Sequence, residues 1–255
     1  MNNPLFSCVI PVKGVRPYLA EALASLAAQG LGDALEVIVQ DGDVTPDGGQ
    51  SDALNKGFAK AKGAWLFWLN ADDVLLPGAL DRVRDFLAAK GGRATDVSWL
   101  AGDTVYLDEQ GRVRDVRTDA KWRPWFGRHL GVWTGGPSAF FRRELWARLG
   151  GFDTHLQYVM DLDLWTRWAR AGVRFESLNS YAWGFRVHAG SKTSGVANRR
   201  AQLDERARVD AQHGVSSGGL WRNVTRAASV LDGCWLKRKV DAVRYRGRDW
   251  REIGQ

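Results

Sequence analysis

Apolar residues fall in short dense runs over the first hundred positions, separated by stretches with helical spacing. Phe6–Val12 (FSCVIPV) is a β-rich run and predicts a buried strand. Pro17 opens a helical stretch in which Leu19, Leu23 and Leu26 share one face. Leu35–Val39, entered from Gly32-Asp33, is a second apolar run. Ser51–Lys60 predicts a helix with Ser51 as its cap. Trp65–Leu69 (WLFWL) predicts a third strand. Pro77–Ala89 predicts a helix stopped by Gly91-Gly92, and Val97–Leu100 a fourth strand. Strand and helix alternate, which implies a parallel sheet with crossover helices. Such sheets bind ligands beyond the carboxyl ends of their strands.

The second half is less regular. Thr104–Leu107 and Val113–Val116 flank Asp108-Glu109-Gln110-Gly111 as a hairpin signal. Ser138–Phe141 is a short strand candidate. Asp161–Ala171 predicts a helix with Leu164 and Trp168 four apart. Ser177–Gly190 mixes loop and strand. From Val196 the pattern is mostly helical, broken at Gly214 and at Ser216–Gly219.

Composition narrows the class. The chain has 255 residues, 45% hydrophobic and 25% charged, which excludes disorder, collagen-like repeats and a disulfide scaffold. Net charge is +7 and there are 13 tryptophans, a combination that invites a nucleic-acid reading. The charge is local, however. Residues 199–255 hold 13 Lys and Arg against 7 Asp and Glu, so residues 1–198 are nearly neutral, which disfavours nucleic acid. Cys8 and Cys234, at opposite ends of the chain, point to a reduced, cytoplasmic setting. No basic start followed by an apolar run reads as a signal peptide. No G-x-G-x-x-G or P-loop signature occupies the strand ends.

What the strand ends carry is acid. The second ends in Gln40-Asp41-Gly42-Asp43 and the third in Asn70-Ala71-Asp72-Asp73, while the first offers Lys13. Crowded carboxylates call for a compensating cation. A hard divalent ion such as Mg²⁺ or Mn²⁺ takes carboxylate and phosphate oxygens together. The competing reading makes Asp72 and Asp73 caps of the following turn.

Four segments extend this pattern: Pro46–Gly57 (PDGGQSDALNKG), Trp65–Asp73 (WLFWLNADD), Gly136–Trp146 (GPSAFFRRELW), and Gly150–Asp153 followed by Met160–Arg167 (MDLDLWTR). In this order they resemble the family 2 glycosyltransferases, over roughly residues 5–195. The resemblance implies a GT-A fold: a Rossmann-like α/β architecture with a mixed, mainly parallel sheet flanked by helices. Residues 1–198 would form the transferase domain, with a nucleotide-sugar half to about 103 and an acceptor half from about 104. Residues 199–255 would be a basic helical extension.

The resemblance also implies an inverting displacement, in which an acceptor hydroxyl attacks the anomeric carbon of a nucleotide sugar, as in bacterial cell-surface polysaccharide synthesis. Asp72 stands at the metal-ligand position of the family's D-x-D motif, with Asn70 in place of the first Asp and Asp73 behind it. Asp161 stands at the catalytic base, with Met160 replacing the preceding Glu. Asp163, two residues on, points to another face and is assigned to structure or acceptor. Pro11, Val12, Lys13, Gln50 and Asp52 would flank the donor. Asp41 would accept from a base N–H, consistent with a UDP-linked donor, although Gly42–Thr45 replaces the longer turn usual after it. His188 would ligate the metal, and Arg186 or Lys192 would meet the diphosphate. Trp122, Trp125 and Trp133 would border an acceptor that is a saccharide or is lipid-linked. The rivals are a sugar-phosphate nucleotidyltransferase and a non-catalytic binding protein. The basic, aromatic tail suggests peripheral contact with an anionic membrane, or a helical arm that makes a dimer.

Overall fold

A computed structural model describes residues 3–118, 134–192, 196–215 and 219–254. Its eight strands are β1 (Phe6–Val12), β2 (Leu35–Asp41), β3 (Trp65–Trp68), β4 (Val74–Leu75), β5 (Trp99–Leu107), β6 (Val113–Arg117), β7 (Ala139–Arg142) and β8 (Glu176–Arg186). They form one sheet in the order β2-β1-β3-β7-β5-β8-β4, with β6 paired to β5. β1 is parallel to both β2 and β3, as the alternating pattern requires. Beyond β3 the simple order breaks. β7 inserts antiparallel between β3 and β5, and β5 pairs parallel with β8. The sheet is thus mixed, with its parallel pairs concentrated in the first half.

Helices cover both faces. They are α1 (Leu19–Ala27), α2 (Gln50–Lys60), α3 (Ala79–Lys90), α4 (Arg143–Leu149), α5 (Met160–Arg170), α6 (Val196–Gln212), α7 (Gly219–Leu231) and α8 (Cys234–Tyr245). Because strand side chains alternate, each central strand feeds two cores. Val9, Leu66, Trp68, Trp99 and Phe141 pack under α2 and α5. Phe6, Cys8, Ile10, Trp65, Phe67 and Leu100 pack under α1 and α3. Four tryptophans settle in the first core: Trp165 stacks on Trp68 at 6.0 Å and on Trp99 at 5.0 Å, with Trp168 beside it.

Ser51 does not cap α2. Gly49 occupies that position, and the Ser51 hydroxyl instead donates to the Leu156 carbonyl and lies 2.9 Å from Met160 Sδ. It ties the two halves of the domain together.

The C-terminal segment folds back onto the domain. α6 begins at Val196, across the boundary expected at 198, and Val209 packs on Val159 and Leu162. α8 is held by Tyr181 Oη donating to Asp241 and by Lys237 on Asp103. Trp250 and Ile253 are buried with Val74, Leu76 and Val105. Trp250 is therefore core, not part of an exposed aromatic surface.

Candidate functional site

The carboxyl ends of β1 and β3 open into a cavity of about 640 Å³. Pro11, Val12, Lys13, Gln50, Asn70 and Asp72 line one side. Asp161, His188 and Lys192 line it too, His188 beside Asp72. Asp72 and Asp161 are 89 positions apart in sequence, and the fold brings both to one space.

Asp72 follows β3 by four residues, where the buried strand ends and the chain turns. Its Oδ2 lies 3.0 Å from His188 Nε2. Gly190 N–H donates to His188 Nδ1 at 3.2 Å, so in this arrangement the Nε2 proton faces Asp72. Among the described residues no three His, Cys, Asp or Glu side chains gather as a metal-binding group. The pair nonetheless fits a divalent ion completed by substrate. Two ligand atoms at adjacent corners of an octahedron, each about 2.1 Å from Mg²⁺, lie about 3 Å apart. Such ions are held by one or two protein groups, with phosphates and water filling the rest.

Asn70 is locked. It accepts from Gln50 Nε2 at 2.9 Å and donates to Asp73 Oδ2 at 2.7 Å. Asp73 does not reach the cavity. It is fully buried, accepts from Arg186 N–H at 2.9 Å, and sets the turn that presents Asp72. Burial, then the adjacent Asp72 charge, push its pKa well above the usual carboxylate range.

Arg186 also departs from its expected place. It is 1% exposed and does not line the cavity. Its guanidinium donates to the carbonyls of Asp72, Asp108 and Glu109 and to Glu21 at 2.5 Å. A buried guanidinium needs these acceptors, so it fastens the Asp72 turn and is not available to a diphosphate. Lys192 does line the cavity, 5.7 Å from the Tyr158 ring; burial lowers its pKa.

Asp41 is occupied by Arg16 at 2.5 Å and by the Asp43 N–H, and these hold its carboxyl below the ordinary range. Arg16, not Asp41, lines the cavity. Asp52 sits in the first turn of α2, accepts from Gly48 N–H and pairs with Lys56, away from the cavity. Trp122, Trp125 and Trp133 lie outside the described residues.

Asp161 is the second residue of α5. Its Oδ1 accepts from Leu162 N–H at 2.8 Å. Burial raises its pKa, while backbone donors and the Arg117 charge oppose the rise. Asp163 faces away, as its i+2 spacing requires. It is buried against Arg167 at 2.8 Å and His213 at 2.7 Å, which makes it structural, with no reach to an acceptor.

Several lining residues were not apparent from sequence: Arg16, Tyr18, Arg117, Gln157, Gln202 and Arg206. Gln202 and Arg206 sit four apart on α6, so they share a face. That spacing was visible in the chain; the wall it faces was not.

Comparisons with known proteins bear on the family and the fold. The family model described as "Glycosyl transferase family 2" matches residues 44–130. An uncharacterized glycosyltransferase of Rickettsia prowazekii is 25% identical over 230 residues, covering 80% of this chain and 70% of its own. A PGL/p-HBAD biosynthesis glycosyltransferase of Mycobacterium bovis is 28% identical over 190 residues, covering 64% of this chain and 69% of its own. Two solved structures share the fold. S. aureus TarS 1–349 in complex with UDP-GlcNAc superposes with a TM-score of 0.56 at 16% identity, over 78% of this chain and 66% of that one. A longer TarS chain is spanned over only 37% of its length. A mannosyltransferase from Pyrobaculum calidifontis in complex with GDP-Man and Mn²⁺ gives 0.53 at 18% identity, over 92% of this chain and 76% of that one.

Proposed function

We propose that the chain is a family 2 glycosyltransferase and that it transfers a sugar, with inversion, from a UDP-linked donor to an acceptor hydroxyl. The observation that carries the reading is the single cavity lined by both Asp72 and Asp161. The two halves of the chemistry then have separate owners. Asp161 takes the proton of the acceptor hydroxyl as its oxygen bonds the anomeric carbon, and the bond from that carbon to the diphosphate oxygen breaks. Asp72 and His188 would hold a divalent ion, which when bound neutralises the leaving diphosphate. Lys13 and Lys192 add positive charge to the same cavity. The nucleotide-sugar complexes of TarS and of the Pyrobaculum mannosyltransferase, the latter with Mn²⁺, support a donor of this class.

Arg117 and Arg206 lend the Asp161 side a cationic character. Both line the cavity and act on the Asp161 charge, and Arg206 also pairs with Asp210 at 3.4 Å. We propose that the C-terminal helices meet an anionic membrane surface.

Donor turnover tests the reading. UDP-sugars incubated with Mn²⁺ should be hydrolysed or transferred by the wild type and not by Asp161→Asn. The product anomer, read by NMR, should be inverted. Absence of any nucleotide-sugar binding or turnover with metal present would overturn it.

A further inference from the structure

The base helix α5 starts without a cap of its own. Val159 stands at its N-cap and makes no side-chain hydrogen bond there. The first N–H groups of a helix lack intrahelical acceptors, so a buried start must find them elsewhere. Here α6 serves the N-cap N–H and the two N–H groups that lead into it, while Leu162 N–H turns to Asp161 Oδ1. The Glu205 carboxylate, 3% exposed, accepts from the N–H groups of Gln157 at 2.7 Å, Tyr158 at 2.5 Å and Val159 at 2.9 Å. One oxygen takes Gln157, and the other takes Tyr158 and Val159.

We infer that Glu205 is a positioning residue for Asp161, clamping from α6 the backbone that leads into the base; this rests on the reading of Asp161 as base given above. Three observations support it. Gln157, Tyr158 and Val159 all line the cavity, so the clamp shapes its wall as well as the helix start. Asp161 follows Val159 by two residues, too close for one to move alone. The intervening Met160 is buried and apolar, so its side chain offers those N–H groups no strong acceptor. A carboxylate suits the task because each oxygen accepts without presenting a proton. The negative charge also complements the positive end of the helix. Its field extends to Lys192 across the cavity wall, where it offsets part of the effect of burial on that amine.

The test compares Glu205→Gln, Glu205→Asp and Glu205→Ala in the full chain. The assay is Mn²⁺-dependent hydrolysis of UDP-glucose and UDP-N-acetylglucosamine, with hydrogen exchange on the unliganded proteins. Glutamine keeps the size but turns an N–H₂ toward backbone donors; aspartate keeps the charge on a shorter arm. A misplaced base can cost about 100-fold, so kcat of Glu205→Gln should fall by tenfold or more with donor KM within about twofold. Aspartate should recover part of the loss. The amides of Gln157–Val159 should exchange faster in Glu205→Gln while those of β1 and β3 do not. Unchanged kcat per folded enzyme, or unchanged exchange at those three amides, overturns the inference. So does a loss that tracks unfolding alone, with kcat and KM moving together. If the wild type turns over no nucleotide sugar, the functional reading fails first, and the exchange result still decides whether Glu205 clamps the helix start.

Discussion

Asp161 and Asp163 show what two positions along a helix decide. One carboxylate faces the cavity and the other meets Arg167 and His213. Replacing Asp161 by Asn removes the general base, a change worth about 10²–10⁴-fold in rate. The same substitution should raise stability. Burial lifts the folded-state pKa of Asp161 above its unfolded value, so the ionised form is disfavoured in the fold. The stability linked to this group is present in full below the unfolded pKa and is lost as pH rises through the folded one. At neutral pH, Asp161→Asn is therefore expected to melt above the wild type, with the gap closing on acidification. Thermal unfolding at pH 7 and pH 4 checks this. For activity the sign is opposite: the base must be ionised, so kcat falls as pH drops through the raised value. At the other end of the cavity, Asp72→Asn should raise the Mn²⁺ concentration for half-maximal activity by at least tenfold. His188→Ala should raise it less, because a carboxylate brings charge and an imidazole does not.

Between residues and the whole lie the contacts of element on element, and here small residues decide. A Cβ on Gly136 would sit 2.4 Å from Trp68 Cζ2 and 3.1 Å from Asp161 Oδ2. Gly136→Ala should therefore displace the base as well as strain the core, and kcat should fall by more than the loss of folded protein explains. A Cβ on Gly57 would meet Val9 Cγ1 at 2.4 Å, where α2 lies against β1. Gly57→Ala should cost about 1–3 kcal/mol by chemical denaturation, with kcat of the folded fraction preserved. At this scale the sequence was readable where order in the chain matches order in space. β1, α1, β2, α2, β3 and α3 follow from apolar runs and helical spacing, and Asp72 follows from the strand that ends before it. The insertion of β7 between β3 and β5 was not readable, because its partners lie about forty positions upstream in β5 and more than seventy in β3. The two-residue β4 and the short α4 leave too little periodicity to detect. Arg186 was misplaced for a related reason. A basic residue near acids suggests a phosphate contact, and only the fold reveals that backbone carbonyls fill its donors.

At the scale of the whole molecule the basic C-terminal segment divides into a docked face and an open one. Lys237 and Arg238 of α8 pair with Asp103 and Asp115, and Asp241 and Tyr245 pack on Tyr181. Those cations are engaged with the body of the enzyme. On the other side Leu236, Val240 and Val243 are 61%, 56% and 81% exposed at i, i+4 and i+7, one stripe along the helix. Val230 and Leu231 at the end of α7 are also exposed, and Lys239, Arg244 and Arg246 flank the stripe. Among the described residues no helix is long and apolar enough to cross a membrane. An amphipathic helix with apolar residues ringed by cations instead suits the plane of an anionic lipid surface. Removing the segment would be a poor test, since Trp250 and Ile253 complete a core with β4 and β5. The triple variant Leu236→Ser, Val240→Ser, Val243→Ser leaves that core and the docked face intact. It is expected to bind phosphatidylglycerol vesicles about tenfold or more weakly than the wild type, because each apolar side chain withheld from lipid forfeits its transfer free energy. Hydrolysis of a soluble nucleotide sugar should be unchanged. Equal vesicle binding by the two proteins would show that this stripe is not the membrane contact. Weaker binding that high salt reduces further would show that the charge in the last 57 residues acts together with the stripe, the cations drawing the helix to the lipid and the apolar side chains holding it there.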